Sequence, residues 1–274
     1  MSGILYVVAT PIGNLEDITF RAVRVLQEVD LIAAEDTRHS RKLLNHYGID
    51  TALISYHEHN EKSRSPQLVT KLQAGQSLAL ISDAGTPCIA DPGYRLVSAC
   101  RREGVEVVAL PGASALVAAL SISGLPTDAF RFIGFLPPKT HGRCQLLQQL
   151  KDEYQTIAGY EAPHRLLASL TDIAAVCGAE RQIAIARELT KRHEELFSGS
   201  VADALAHFSQ NSVKGEIVLL LSPAPERPPE GTIVEMLQRL RDETDLSWKE
   251  IVKQVAKQFG VSGSDVYKES LTLR

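Results

Sequence analysis

A chain of 274 residues with 44% hydrophobic side chains and a formal net charge of -4 carries enough apolar material for one large α/β domain or two of ordinary size, which excludes disorder as the default state. The mildly acidic total excludes a surface coated in basic residues, so a nucleic acid would have to be met by a local patch. No apolar run approaches the roughly 20 residues of a membrane span, and Met1-Ser2-Gly3 runs into an apolar strand with no basic leader, so the expectation is a soluble cytoplasmic protein without membrane contact.

Ile4 to Ala9 reads as the first strand. Behind Thr19, a good N-cap residue, Phe20, Val23, Leu26 and Val29 recur at three-residue steps, the stripe of an amphipathic helix. Leu31 to Ala34 is the next strand, and Ser40 to Tyr47 a short helix stopped by Gly48. Ser65-Pro66 offers an N-cap followed by proline at the first helical position, with Gly75 closing that helix. Leu78 to Ile81 is a strand, Gly93 to Glu103 a helix and Val105 to Leu110 a strand, after which Pro111-Gly112-Ala113-Ser114 turns the chain into an alanine-rich helix ending at Gly124.

Gly124-Leu125-Pro126-Thr127-Asp128 interrupts periodicity from both sides and reads as a domain joint. Beyond it Phe132 to Phe135, Thr156 to Tyr160, Ile183 to Ala186 and Ile217 to Leu221 read as strands, with helices at Pro163 to Val176 and Val201 to Phe208. Pro223 to Pro229 is a stiff, extended linker, and only helices follow: Thr232 to Glu243, Trp248 to Phe259 and Gly263 to Leu271. The expected organisation is two α/β domains, 1–123 and 124–225, and a helical extension, 226–274. In that extension Ile251, Val252, Val255 and Phe259 make an apolar stripe ahead of a Gly260-Val261 turn, a helix-turn-helix pattern, while Lys249, Lys253, Lys257 and Lys268 give it a basic face.

Ser82-Asp83-Ala84-Gly85-Thr86-Pro87 leaves the carboxyl end of an apolar strand, where open α/β sheets bind ligands. Thr10 to Leu15 and Pro111 to Ala115 leave two other strands, and in a doubly wound sheet the three loops converge on one edge. They could hold a small molecule with backbone amides and one carboxylate, Asp83. Neither Gly-x-Gly-x-x-Gly nor Gly-Lys-Ser/Thr occurs, which argues against NAD or ATP and for a cofactor without phosphates. Cys88, Cys100, Cys144 and Cys177 are too scattered for a metal site and read as isolated thiols. Glu35-Asp36-Thr37-Arg38 and Arg187-Glu188-Leu189-Thr190-Lys191 mix acid, base and hydroxyl at strand ends, joined by Glu161-Ala162-Pro163-His164-Arg165 and Lys214-Gly215-Glu216.

These motifs, in this order, together with Asp91-Pro92-Gly93 and Gly134-Phe135-Leu136-Pro137, closely resemble the ribosomal RNA small subunit methyltransferase I group of the tetrapyrrole (corrin/porphyrin) methylase superfamily. The resemblance spans about residues 4 to 222, and the tail is similar to that group's C-terminal extension. Ala9 stands where a proline is common and Cys88 where an aliphatic residue is common. The resemblance implies a tetrapyrrole methylase-like fold in which two α/β domains enclose a cofactor cleft, with a small all-helical extension that would bind RNA. It implies a homodimer that uses S-adenosylmethionine, leaving S-adenosylhomocysteine, to methylate the ribose 2′-hydroxyl of a cytidine in the decoding region of 16S rRNA.

Carried over by motif, the cofactor would touch Ile12, Asp83, Ala84, Gly85, Thr86, Ser114, Ala115, Tyr160 and Gly215. The sulfonium already activates the methyl group, so the protein must align the hydroxyl and supply an acceptor for its proton. Asp36 and Lys214 are the first candidates, with Glu35, Glu188 and a desolvated Lys191 as others. Arg38, Arg165, Arg187 and Lys191 are candidates to hold RNA phosphates. Two other functions compete: a precorrin-type C-methyltransferase acting on a macrocycle, and a non-catalytic RNA-binding protein that senses S-adenosylmethionine.

Overall fold

Short apolar runs alternating with amphipathic segments build two five-stranded sheets in the computed structural model, which describes residues 2–210, 213–225 and 231–271. The first sheet contains β1 (Ile4–Val8), β2 (Leu31–Ala34), β3 (Leu53–Ser55), β4 (Leu78–Ile81) and β5 (Glu106–Leu110) in the order β3-β2-β4-β1-β5, all parallel. A central parallel strand is covered on both faces and so is apolar throughout, as the fully buried Leu78-Ala79-Leu80-Ile81 shows. Its alternate side chains serve opposite layers. Ala79 and Ile81 pack with Val25 and Leu26 of α1 (Phe20–Glu28) and Leu44 of α2 (Thr37–His46). Leu78 and Leu80 pack with Leu68 and Leu72 of α3 (Glu61–Gln73) and Leu96 of α4 (Tyr94–Arg102).

The second sheet contains β6 (Phe130–Phe135), β7 (Thr156–Glu161), β8 (Gln182–Arg187), β9 (Glu195–Ser200) and β10 (Ile217–Leu221). Its order is β6-β7-β10-β8-β9; β6 and β7 are parallel and the other pairs antiparallel. One face carries Ile157, Ile183, Ile185 and Leu219 against α6 (Thr140–Leu150), α7 (Leu166–Cys177) and α8 (Val201–Ser209). The other face presents Ala158, Ala184, Ala186, Val218 and Leu220 to Leu116, Ala119 and Leu120 of α5 (Ala115–Ile122), the last helix of the first lobe. That shared layer explains why residues 1–224 form one compact unit although Gly124–Asp128 separates the sheets along the chain.

Residues 225–274 form a second unit. Its helices α9 (Ile233–Glu243), α10 (Trp248–Phe259) and α11 (Gly263–Ser270) bury Leu237, Leu240, Ile251, Val255 and Val266 together. Thr232 with Glu235 and Ser247 with Glu250 close reciprocal capping boxes, and Gly260 ends α10 at φ 63°. The predicted linker falls partly on 226–229, which lie outside the described residues.

Two local expectations differ from the structure, and three elements carry no clear sequence signal. The helix expected from Ser40 begins at Thr37, because the Asp36 carboxylate caps it by accepting from the Arg38 and His39 amides. Ser65-Pro66 does not start a helix: α3 begins at Glu61, and Ser65 Oγ donates to the Glu61 carbonyl at 2.7 Å inside it. Strand β3 is only three half-buried residues at a sheet edge, too short to show alternation. Helix α6 opens on polar residues and a glycine, and β9, at an edge of the second sheet, alternates only weakly in hydrophobicity, so the sequence pattern marks neither.

Candidate active site

A cavity of about 330 Å³ lies where the strand ends of the first lobe face the second sheet. Three loops form its first wall and are stitched together. Thr10 and Gly85 exchange backbone hydrogen bonds of 2.9 and 3.0 Å, Thr10 Oγ1 donates to the Ser82 carbonyl at 3.1 Å, and Thr86 Oγ1 donates to the Ala113 carbonyl at 3.3 Å. Gly85 sits at φ +75°, with the position of an added Cβ 3.5 Å from Ile12 Cγ2, so the loops meet where only glycine is unstrained. Ser114 caps α5, its hydroxyl accepting from the Val117 amide. The opposite wall is Tyr160 to Pro163 at the end of β7, Gly215 to Val218 at the start of β10, and Ala186 and Leu189 beside β8. Phe135 closes one side, its ring edge-on to Tyr160 with centroids 5.5 Å apart.

Among the described residues the lining holds three carboxylates, Asp91, Glu161 and Glu216, and no lysine, arginine or histidine. Two of the three are committed. Glu161 is fully buried; it accepts from the Ala162 amide at 2.7 Å, pairs with Arg165 at 2.7 Å and takes a short hydrogen bond from Ser169 Oγ. Glu216 pairs with Lys191 at 3.0 Å at the open edge. Asp91 has no salt bridge among the described residues. Burial, reinforced by the charge of Glu35, pushes its carboxyl up to about 7. Burial also raises Glu35, with Asp83 the next cause, and raises the Tyr160 phenol, where Asp91 is the second cause.

Ile12, Ala84, Gly85, Thr86, Ser114, Ala115, Tyr160 and Gly215 all line this one cavity. Asp83 stands behind the wall: its carboxylate accepts from the Asp36 amide at 3.0 Å, while its own amide points to Glu35 Oε2 at 3.5 Å, tying the β2 and β4 loops together. The base expected at Asp36 is occupied as the cap of α2 and paired with Arg38, and hydrogen bonds from Arg38 hold it below the usual carboxylate range, which makes it a weak proton acceptor. Glu188 is likewise held low by its hydrogen bond from Lys191 at 2.9 Å, and it accepts from the Glu216 amide at 3.1 Å. Lys214 is exposed, its carbonyl accepting from Arg187 at 3.2 Å.

Among the cations proposed for phosphate, Arg38 is 91% exposed. Arg165 is held on Glu161 and Arg187 on Glu195 at 2.7 Å. The Lys191 stem packs against Gly13, where an added Cβ would lie 2.4 Å from Lys191 Cγ, so this ion-pair cluster also fastens the second lobe to the Thr10 loop. The sequence motifs contain Asp91, Phe135 and Glu216 but give none of the three a role in the site. Asp91-Pro92-Gly93 reads as a turn, and the signal that points further is its place in the same loop as Ser82 to Pro87.

All four non-glycine residues with positive φ in the described chain flank this cavity: Cys88 (73°) and Ala90 (63°) in the loop that carries Asp91, and Glu188 (51°) and Thr190 (65°) in the loop facing it. Such conformations cost free energy and persist where surrounding structure over-determines them. Gly93 packs so closely, an added Cβ lying 2.5 Å from Cys88 Sγ, that the first loop is locked from beneath.

S-adenosylmethionine, implied by the resemblance, carries a cationic sulfur and no phosphate. A cavity with apolar walls, carboxylates and no basic side chain fits both properties, and its size lies at the small end of the roughly 300–1,000 Å³ usual for ligand pockets. Residues 4–205 match the family described as Tetrapyrrole (Corrin/Porphyrin) Methylases. The chain is 52% identical over 274 residues to a Synechocystis sp. protein called Ribosomal RNA small subunit methyltransferase I, covering 99% of this chain and 98% of that one. It is 47% identical over 271 residues to the protein of that name from Halalkalibacterium halodurans, covering 97% and 93%. In fold it is similar to uroporphyrin-III C-methyl transferase from Thermus thermophilus, solved in complex with S-adenyl homocysteine, at a TM-score of 0.54 and 17% identity, covering 80% of this chain and 97% of that one.

Proposed function

Because the chain belongs to the tetrapyrrole (corrin/porphyrin) methylase family and, within it, to the ribosomal RNA small subunit methyltransferase I group, we propose that it transfers a methyl group from S-adenosylmethionine to the 2′-hydroxyl of a cytidine ribose in 16S rRNA. The observation that carries this reading is the charge of the cavity: carboxylates and apolar walls without one basic side chain among the described residues, in a protein 52% identical to a named rRNA methyltransferase. When bound, S-adenosylmethionine supplies an electrophilic methyl group.

The protein's share is placement. The Thr10, Ser82 and Pro111 loops offer backbone groups and the Thr86 and Ser114 hydroxyls, while Ile12, Leu189 and Val218 exclude water. Excluding water strengthens every electrostatic contact inside. RNA phosphates would be met outside the cavity by Arg38 and Lys214, and by the exposed lysines Lys249, Lys253 and Lys257 of the helical unit. The substrate would be rRNA within the small ribosomal subunit, the enzyme a homodimer acting in the cytoplasm. Incubation with radiolabelled S-adenosylmethionine and small subunits, followed by nuclease digestion, should give label in an alkali-stable, ribose-methylated cytidine dinucleotide. Label confined to a base, or methylation of a uroporphyrinogen-type macrocycle instead of RNA, would overturn the proposal.

A further inference from the structure

We infer that Asp91 is the catalytic residue that takes the proton from the ribose hydroxyl during methyl transfer, an assignment that rests on the proposed 2′-O-methylation. The geometry reaches it by elimination among the cavity's own groups. A carboxylate that is to accept a proton needs a free lone pair directed at the reacting oxygen. Glu161 has both oxygens bonded, to Arg165 and the Ala162 amide on one side and Ser169 on the other. Glu216 is neutralised by Lys191 at the open edge, with its side chain 73% exposed. Asp91 alone lines the cavity without a salt bridge among the described residues.

Its position is built. Positive φ at Cys88 and Ala90 turns the loop, and Gly93 packs beneath it against Cys88 and Leu80, so Asp91 is presented on a strained, immobilised segment of the kind found at functional sites. The groups that interact with it are Asp83, Cys88 and the Ser82 hydroxyl on its own loop, Glu35 at the end of β2 and Tyr160 on β7. Burial first, and then the charges of Glu35 and Asp83 against the opposing Ser82 hydroxyl, leave it more basic than an ordinary aspartate, near the pH at which a general base is most effective. In the step, the ribose oxygen forms its bond to the methyl carbon as the carbon–sulfur bond breaks. The bonding pair leaves with sulfur, and the hydroxyl proton passes to an Asp91 carboxylate oxygen, later lost to solvent. S-adenosylhomocysteine and the methylated ribose are the products.

The test is single-turnover methyl transfer to small subunits at saturating S-adenosylmethionine, for wild type, Asp91→Asn and Asp91→Glu, with donor affinity measured by calorimetry. Asparagine keeps the shape and an acceptor oxygen but cannot hold the proton. The Asp91→Asn rate should fall on the order of 10²- to 10⁴-fold while donor affinity changes little, and glutamate should restore part of it. The wild-type rate should rise with pH through about 7, because the ionised form is the base, and that ascending limb should vanish in Asp91→Asn. A wild-type rate in Asp91→Asn, a loss cured by more donor, or an unchanged limb overturns the assignment. If Asp91→Asn does not fold, a wild-type profile without the limb overturns it equally. A wild type that methylates no ribose defeats the proposed activity itself, and this assignment with it.

Discussion

Replacing Arg143 with methionine removes a guanidinium that is 2% exposed and holds the second lobe's wall in place. From α6 it bonds Asp172 on α7 through Nε at 2.7 Å and Nη2 at 2.5 Å, and its Nη1 donates to the carbonyls of Pro137 and Pro138 at 3.2 and 3.5 Å. Those prolines lie two and three residues after Phe135, which lines the cavity. Breaking a buried pair by deleting one partner typically costs about 3–5 kcal/mol, because the other charge is left uncompensated. Asp172 is 13% exposed and retains some access to water, which places the expected loss near the lower end, about 3 kcal/mol. In a unit of this size that is a fall in melting temperature of roughly 6–12 °C. Thermal melts of the full chain followed by circular dichroism read it directly. The double variant Arg143→Met, Asp172→Leu should recover much of the loss, since an apolar pair needs no compensation. A single-variant fall below about 2 °C, or a double variant no more stable than the single, would refute the reasoning.

Gly215→Ala should weaken donor binding by about tenfold or more, since roughly 1–3 kcal/mol of backbone strain at φ +88° adds to a Cβ 2.2 Å from Glu188 Cδ; calorimetric titration with S-adenosylmethionine measures it. Lys191→Met should lower stability at neutral pH and lose that difference in acid. Lys191 depresses Glu188, so the stabilisation is present above the ordinary value of 4.5 and disappears as pH falls through the lower folded value, which melting curves against pH will show. Burial pushes the Cys88 and Cys100 thiols up to about 11, so iodoacetamide near neutral pH should leave both unmodified in the folded protein and label them on unfolding, as read by mass spectrometry.

The chain's first half announces its architecture because parallel central strands must be apolar on both faces. Leu31–Ala34 and Leu78–Ile81 could be read without ambiguity, as could the caps Thr19 and Ser114, whose hydroxyls accept from Ala22 and Val117. Edges lack that signal: β3 and β9 each bury little, and a hydrophobic pattern cannot mark what burial does not demand. Asp36 shows how one residue type supports two readings. An acid at a strand end suggests chemistry, yet the same acid two and three residues ahead of the amides of Arg38 and His39 is a helix cap, and the structure uses it so. The wall of the cavity was legible because its loops are built from glycine, proline and hydroxyl residues with distinctive roles. Asp91 was not, because its placement depends on positive φ at a cysteine and an alanine, residue types that carry no mark of that conformation.

The segregation of charge ties the fold to the reaction. Among the described residues lining the cavity every titratable side chain but Tyr160 is an acid, which suits a cationic donor. It disfavours phosphate, so under the proposed function a nucleic-acid backbone would stay at the mouth. Outside stand Arg38 and Lys214, both exposed. A ribose could then reach inward only as a neutral group, its phosphates remaining with the outer cations and its hydroxyl entering a low-dielectric space where carboxylate basicity is raised. A basic cavity would attract the phosphates and lower the affinity of Asp91 for a proton. The three acids thus divide the work: Glu161 and Glu216 are paired with Arg165 and Lys191 and hold the walls, while Asp91, without a salt bridge among the described residues, is the one to which the inferred proton transfer is assigned.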